Sequence, residues 1–173
     1  GSATVEINRA GVGIARAASG GAMVAGSVGP ITRPAEALDD LAPELMEQAF
    51  GVQLRALLGA GVDLVIFETF NDPRELAAAL DALDAAGGAP SVAMLTFLEG
   101  GQTIGGLHPL HAGHALDELP ADVVGVNCGT GPMDMLKVIQ KIAQATGKPV
   151  CAMPNAGVAR FEGGRFTYPR NPG

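Results

Sequence analysis

Two residues with reactive side chains follow short apolar runs in this sequence. Glu68 comes directly after residues 64–67, and Cys128 comes after residues 123–126 with Asn127 between them. A carboxylate in such a place can hold the ammonium group of a ligand, and a thiolate can be a nucleophile or a metal ligand. Each residue also has a structural interpretation: Glu68 as a helix cap and Cys128 as a small buried side chain.

The second cysteine and the three histidines are weaker candidates. Cys151 lies four residues before Asn155, which is on the order of 13 Å below the strand end at about 3.3 Å per residue. We therefore expect Cys151 in the core, too far from Cys128 to share a metal. A helix could bring His111 and His114 together as metal ligands. No carboxylates with the spacing of metal ligands lie near these two residues or His108. This favours the interpretation that all three histidines lie at a solvent-exposed helix start.

Repeated βα units are predicted to position these residues. Short apolar runs, typical of parallel strands covered on both faces, occur at 22–25, 62–67, 91–97, 123–126 and 149–153. Helical patterns occur at 5–18, 43–58, from Asp72-Pro73, at 111–119 and from Pro132, and a hairpin loop is predicted between Phe161 and Phe166. The pattern predicts an α/β fold with a parallel sheet, either doubly wound or a (β/α)8 barrel. In both, ligands bind beyond the carboxyl ends of the strands.

Composition limits the classes of function. The chain has 173 residues, 47% of them hydrophobic and 17% charged, which predicts a folded domain. A net charge of −7 without a Lys/Arg cluster argues against a nucleic-acid partner. No apolar run approaches the roughly 18 residues that span a bilayer. The two cysteines favour a reducing, cytoplasmic compartment. Gly1-Ser2 is typical of a cleaved expression tag, which leaves residues 3–173 as one partial domain.

A series of motifs occurs along the chain in a fixed order, the first opening the first predicted helix and most of the others lying at the ends of predicted strands. They are INRA at 7–10, AGSVGP at 25–30, FETF at 67–70, LTF at 95–97, GVNC at 125–128 with Gly131-Pro132, MPNAG at 153–157 and YPRNP at 168–172. This ordered set resembles the homocysteine-binding domain of zinc-dependent homocysteine S-methyltransferases. It is most similar to the domain in cobalamin-dependent methionine synthases and in bacterial proteins that fuse it to methylenetetrahydrofolate reductase.

The resemblance implies a fold, a cofactor and a set of roles. The family fold is a (β/α)8 TIM barrel, in which the five predicted strands match strands three to seven. Zinc at its carboxyl face is held by three cysteine thiolates and activates the homocysteine thiol for methylation to methionine. By resemblance Cys128 is the first zinc ligand, and Asn155 is a position that approaches the metal before substrate arrives. Glu68 would bind the amino group of homocysteine, and the pocket would be lined by Ser27, Thr96 and Asn127.

The sequence also departs from the family pattern. The first two strands and the Gly-Gly-Cys-Cys motif of the eighth strand have no counterpart in these residues. We therefore expect a segment of a methyltransferase that is inactive by itself and that self-associates through open sheet edges. The alternative is a non-catalytic amino-acid-binding or scaffold module derived from the barrel. An α/β-hydrolase finds no support, because no Gly-x-Ser-x-Gly elbow is present. The methyl donor is left open.

Overall fold

A computed structural model describes residues 2–32, 43–156 and 160–167 of the chain. Five parallel strands alternate with five helices, and a short antiparallel hairpin follows. The elements are α1 (Ser2–Ala18), β1 (Ala25–Val28), α2 (Pro43–Gly59), β2 (Leu64–Phe70), α3 (Pro73–Ala85), β3 (Ser91–Leu95), α4 (Pro109–Asp117), β4 (Val123–Asn127), α5 (Pro132–Ala145), β5 (Val150–Met153), β6 (Arg160–Glu162) and β7 (Arg165–Thr167). The predicted α/β class and parallel sheet are confirmed.

The order of the strands distinguishes between the two predicted architectures. The sheet runs β1-β2-β3-β4-β5, so each strand pairs with its neighbours in sequence. A doubly wound sheet reverses direction partway, whereas this one does not. Since βα crossovers are right-handed, consecutive order places the helices on one side of the sheet. The five strands therefore resemble a section of a (β/α)8 barrel.

The two faces of the sheet differ in burial. On the helix side, side chains such as Val65, Phe67 and Leu95 are fully buried in the core. On the opposite face, Ile66 and Val92 are only partly buried in the described structure. We call this second surface the open face. Other side chains of this face, such as Met94, are buried, so the expectation that the strands are covered on both faces is met for only part of the described sheet.

The first two strands end later than predicted. Strand β1 begins at Ala25 rather than at residue 22, because pairing with β2 starts at the Ala25–Leu64 register. Just before it, the Val24 N–H donates to the Asp63 carboxylate at 2.6 Å. Strand β2 continues to Phe70. Ser27 and Glu68 therefore lie within strands instead of following them.

The local signals for helices and the hairpin are confirmed. Asp72 caps α3, its carboxylate accepting a hydrogen bond from the Arg74 N–H at 2.8 Å. Helix α4 begins two residues earlier than predicted, at Pro109. In the hairpin, the rings of Phe161 and Phe166 make an edge-to-face contact with centroids 5.1 Å apart. No described helix has the length and apolar character needed to cross a membrane.

Candidate active site

A serine and a carboxylate meet at the carboxyl edge of β1 and β2. The Ser27 hydroxyl donates a hydrogen bond to Oε1 of Glu68, which is partly buried. From α2, the Gln53 side-chain amide donates to the Ser27 carbonyl at 3.2 Å and to Oδ1 of Asn8 at 3.3 Å. Asn8 belongs to the INRA motif, so α1 and α2 both support this corner of the site. Gln53 was not predicted, since nothing distinguishes it from other polar residues of its helix.

Two residues at this edge adopt left-handed backbone conformations. Thr69 has φ 68° and Cys128 has φ 54°, and neither is a glycine. Such conformations cost of order 1–3 kcal/mol and concentrate at functional sites. At Thr69 the pairing of β2 with β3 is interrupted, between Phe67 and Phe70. The backbone is therefore distorted next to both Glu68 and the thiol.

The Asn127 side chain connects these two distorted points. It is almost fully buried, and its Oδ1 accepts from the Thr69 N–H at 2.8 Å. Its Nδ2 donates to the Thr69 hydroxyl at 2.9 Å and to the Cys128 Sγ at 3.2 Å. One carboxamide thus links the end of β2 to the end of β4, with β3 between them. Thr69 was not predicted, because its φ depends on a partner 58 residues away.

The remaining predicted pocket residues lie at neighbouring strand ends. Thr96 is buried, and its hydroxyl donates to the Asn127 carbonyl at 3.0 Å, which makes it a brace for the strand end. Asn155 is exposed, and its backbone N–H donates to the Thr130 carbonyl at 3.3 Å. The Cys128 N–H donates to the Met153 carbonyl at 3.0 Å, so Cys128 and Asn155 both lie in the contact between the ends of β4 and β5.

The turn after Cys128 depends on a glycine. Gly129 has φ +69°, and a Cβ there would lie 2.0 Å from the Phe97 carbonyl oxygen. No side chain fits at that distance from a backbone atom. The chain therefore turns close against the end of β3, which fixes the backbone that carries the thiol.

Cys151 and the histidines lie apart from this edge. Cys151 is a partly buried residue of β5 and is paired with Gly125. It was predicted to lie in the core, but it does not belong to the hydrophobic core on the helix side of the sheet. The prediction failed because its strand presents this residue to the open face. Burial raises the pKa of its thiol. His108, His111 and His114 are exposed at the start of α4 and along it, as a solvated helix start requires.

The side chains at the edge do not make a complete metal site. Within the described ranges, no three His, Cys, Asp or Glu side chains lie close enough together to hold a metal ion. Zinc in proteins takes three or four protein ligands. Cys128 supplies one thiol and Asn155 at most an amide oxygen, so the described donors fit only part of a zinc site.

Parallel βα units with polar side chains at the carboxyl edge are typical of α/β proteins in which ligands bind beyond the strand ends. The comparison with known families is more specific. Residues 1–173 match the family model described as homocysteine S-methyltransferase, and the chain belongs to this family.

Curated relatives come from bacteria and plants. The methionine synthases of Mycobacterium leprae and Mycobacterium tuberculosis are each 30% identical over 154 residues, which is 86% of this chain and 13% of theirs. Homocysteine S-methyltransferase 4 of Zea mays is 33% identical over 107 residues, 61% of this chain and 31% of its own. The chain thus spans a minor part of each of these relatives.

Solved structures show the same fold. The apo form of the homocysteine methyltransferase MmuM from Escherichia coli superposes with a TM-score of 0.76 at 24% identity, over 90% of this chain and 62% of that one. Its metallated form gives a TM-score of 0.73 at 22% identity, over 88% and 59%. At these identities the likeness concerns the fold.

Proposed function

We propose that this chain supplies the amino-group half of a homocysteine-binding site in an enzyme that methylates homocysteine to methionine. Family membership supports the reaction class. The observation that carries the proposal is the Asn127 carboxamide, which joins Thr69, the residue after Glu68, to the Cys128 thiol. An amino acid with a thiol side chain presents an ammonium group and a sulfur at two such points.

Glu68 is the proposed partner of the substrate ammonium group. Ser27 already donates to one carboxylate oxygen, Oε1, and the other oxygen has no hydrogen-bond partner among the described residues. An ammonium group there makes a charge-assisted hydrogen bond, which is shorter and stronger than a neutral one. The site thereby selects amino acids over thiols that lack an amino group.

Zinc is part of this proposal by family resemblance. Cys128 would be one of its ligands, with Asn155 as the neighbouring oxygen donor. When bound, Zn²⁺ favours the deprotonated form of a coordinated thiol. Because the described donors do not complete the site, we derive no step through the metal, and we expect these 173 residues alone to be inactive. The methyl donor is left open, and a cytoplasmic, reducing location is proposed from the two free thiols.

Calorimetry with homocysteine tests the proposal on the chain itself. Glu68→Gln removes the charge with little change in shape, and we expect it to weaken homocysteine binding at least about tenfold. The matched control is Asp81→Asn, which neutralises an exposed carboxylate on α3 away from the edge. Equal affinity of the wild type and Glu68→Gln for homocysteine would contradict the assignment of Glu68.

A non-catalytic amino-acid-binding or scaffold module is the second candidate. It is favoured by the incomplete set of metal donors within the described part of the chain. Metal analysis and a methyl-transfer assay, with zinc and candidate methyl donors supplied, separate the two. Homocysteine binding that needs no metal, is lost in Glu68→Gln and never yields methionine would favour the module. Stoichiometric tight zinc and turnover by this chain would show a complete enzyme instead.

A further inference from the structure

A fully buried carboxylate lies next to the candidate site but takes no part in it. Glu75, on α3, has no exposed surface. Its Oε1 accepts from the Ile31 N–H at 2.8 Å and from the Thr32 N–H at 3.0 Å. Its Oε2 accepts from the Thr32 hydroxyl at 2.6 Å. Glu75 is thus bound to the backbone just beyond β1.

Burying a carboxylate is expensive unless hydrogen bonds replace its hydration. Three short hydrogen bonds do this for Glu75. An apolar side chain could fill the same space at less cost, but it could not hold two backbone amides in place. The buried carboxylate is therefore best understood through the segment it fixes.

That segment connects to both members of the proposed amino-group site. Residues 29–32 directly follow the strand that carries Ser27, and α3 begins at Pro73, shortly after Glu68 in the chain. The two chain segments approach closely, since a Cβ on Gly29 would lie 3.9 Å from the Glu68 carbonyl oxygen. Glu75 ties the chain after Ser27 to the helix after Glu68.

We propose that Glu75 is a positioning residue that sets the Ser27 hydroxyl against the Glu68 carboxylate and so determines selectivity for ligands with an amino group. This inference rests on the proposed function, because it assigns Glu68 to that group. Glu75 does not contact the ligand. It acts by holding the end of β1 at the distance that the Ser27–Glu68 hydrogen bond needs.

The test compares two ligands in calorimetry on the whole chain. Homocysteine carries an amino group, and 4-mercaptobutanoic acid is the same thiol acid without it. Glu75→Met fills the same space but cannot accept from the two backbone N–H groups, and we expect it to reduce the affinity for homocysteine about tenfold and to leave that for 4-mercaptobutanoic acid within about twofold. A purely structural role would weaken both alike. The control is Ala79→Gly, which destabilises α3 without touching residues 29–32 and should not change the ratio.

A double-mutant cycle adds a second criterion. If Glu75 acts through Glu68, Glu75→Met should have little further effect on homocysteine binding in a Glu68→Gln background. Additive losses would overturn the proposal. Should Glu75→Met fail to fold, Thr32→Val removes only the hydroxyl donor to Oε2 and should change the affinity ratio in the same direction.

The proposal can also fail separately from the function. If the wild type binds neither ligand, the proposed function is wrong, and Glu75 is then judged by carbon-13 NMR of the ligand-free protein. The Ser27→Ala variant lacks the Ser27–Glu68 hydrogen bond, so its spectrum gives the reference chemical shift of the Glu68 carboxyl carbon without that bond. Movement of this signal toward the reference in Glu75→Met supports positioning, and an unchanged signal overturns it.

Discussion

At the scale of single residues, Asn127 has the most demanding position in the site. Removing its side chain leaves the Thr69 N–H without its acceptor and both left-handed residues without support. We expect Asn127→Ala to lower the free energy of unfolding by about 1–3 kcal/mol. Urea unfolding measures this, with Asn155→Ala, at an exposed neighbouring strand end, as the control with little effect. Equal losses in the two variants would contradict the bridging role.

The two thiols should respond differently to pH. Burial raises the pKa of the Cys151 thiol above its ordinary value of 9.0, so its thiolate forms only at higher pH. In a Cys128→Ser variant, we expect the rate of alkylation by iodoacetamide to reach its midpoint above pH 9.0. The same experiment on the unfolded chain in urea is the control. A midpoint that is the same folded and unfolded would show that burial has no effect on this thiol.

The sequence predicts some of these residues and misses others for a physical reason. The sequence places Glu68 and Cys128 near the carboxyl ends of two strands because apolar runs mark those strands, and this is the edge at which ligands bind in such folds. Gln53, Thr69 and Glu75 are missed, because their roles depend on tertiary partners that no local pattern encodes. Glu75 in particular has the sequence context of an ordinary residue in the first turn of a helix.

At the scale of elements, the turn from β4 to α5 tolerates little change. Gly129→Ala puts a Cβ in the left-handed region and against the Phe97 carbonyl. We expect a loss of at least about 2 kcal/mol in the free energy of unfolding. Gly147→Ala is the matched control, since a Cβ at Gly147 meets nothing within 4 Å. Thermal melts of both variants measure the difference, and similar melting temperatures would refute the close approach.

The start of the sheet is tied to α1 by a carboxylate. Asp63 accepts from the Val24 N–H and pairs with Arg16 at 2.8 Å. These hydrogen bonds, from Val24 first and then Arg16, hold the pKa of Asp63 below its ordinary value of 3.8. A lowered pKa contributes stability above pH 3.8 that is lost as the pH falls through the folded-state value.

We therefore expect Asp63→Asn to lower the urea midpoint at pH 7 and to have a progressively smaller effect as the pH falls through the folded-state pKa of Asp63, where the carboxyl loses its charge. Asp81→Asn serves as the control, an exposed carboxylate without these contacts. A destabilisation by Asp63→Asn that does not change with pH would show that the charge of Asp63 is unimportant.

Element types follow from the sequence more reliably than their ends. Proline at the first helical position and an Asp cap identify the start of α3, because both act locally. The ends of β1 and β2 depend on strand pairing instead. Strand β1 begins to pair at Ala25, and β2 pairs again at Phe70 after the interruption that follows Phe67. Periodicity alone contains no information about a partner strand.

At the scale of the whole molecule, the edges of the sheet carry the prediction of self-association. In the described structure, β1 and β5 each pair on one side only. Unpaired strand edges are templates for pairing with another chain. We expect light scattering to show a mass above that of the 17.4 kDa monomer that rises with concentration. Ala25→Lys on β1 should reduce the association, and Ala17→Lys on α1 should not, both positions being exposed. A monomer at all concentrations would contradict the prediction.

The Asn127 side chain, which joins Thr69 to Cys128, can couple binding at the two ends of the proposed site. A ligand that shifts Thr69 and a group that binds the Cys128 sulfur both act on the same carboxamide. Thermodynamic linkage requires such effects to be reciprocal. If an amine bound at the proposed Glu68 end changes the affinity for a group that binds the sulfur by some factor, that group changes the affinity for the amine by the same factor. Binding at one end of the proposed site therefore changes the affinity at the other end, even though the two bound groups do not touch.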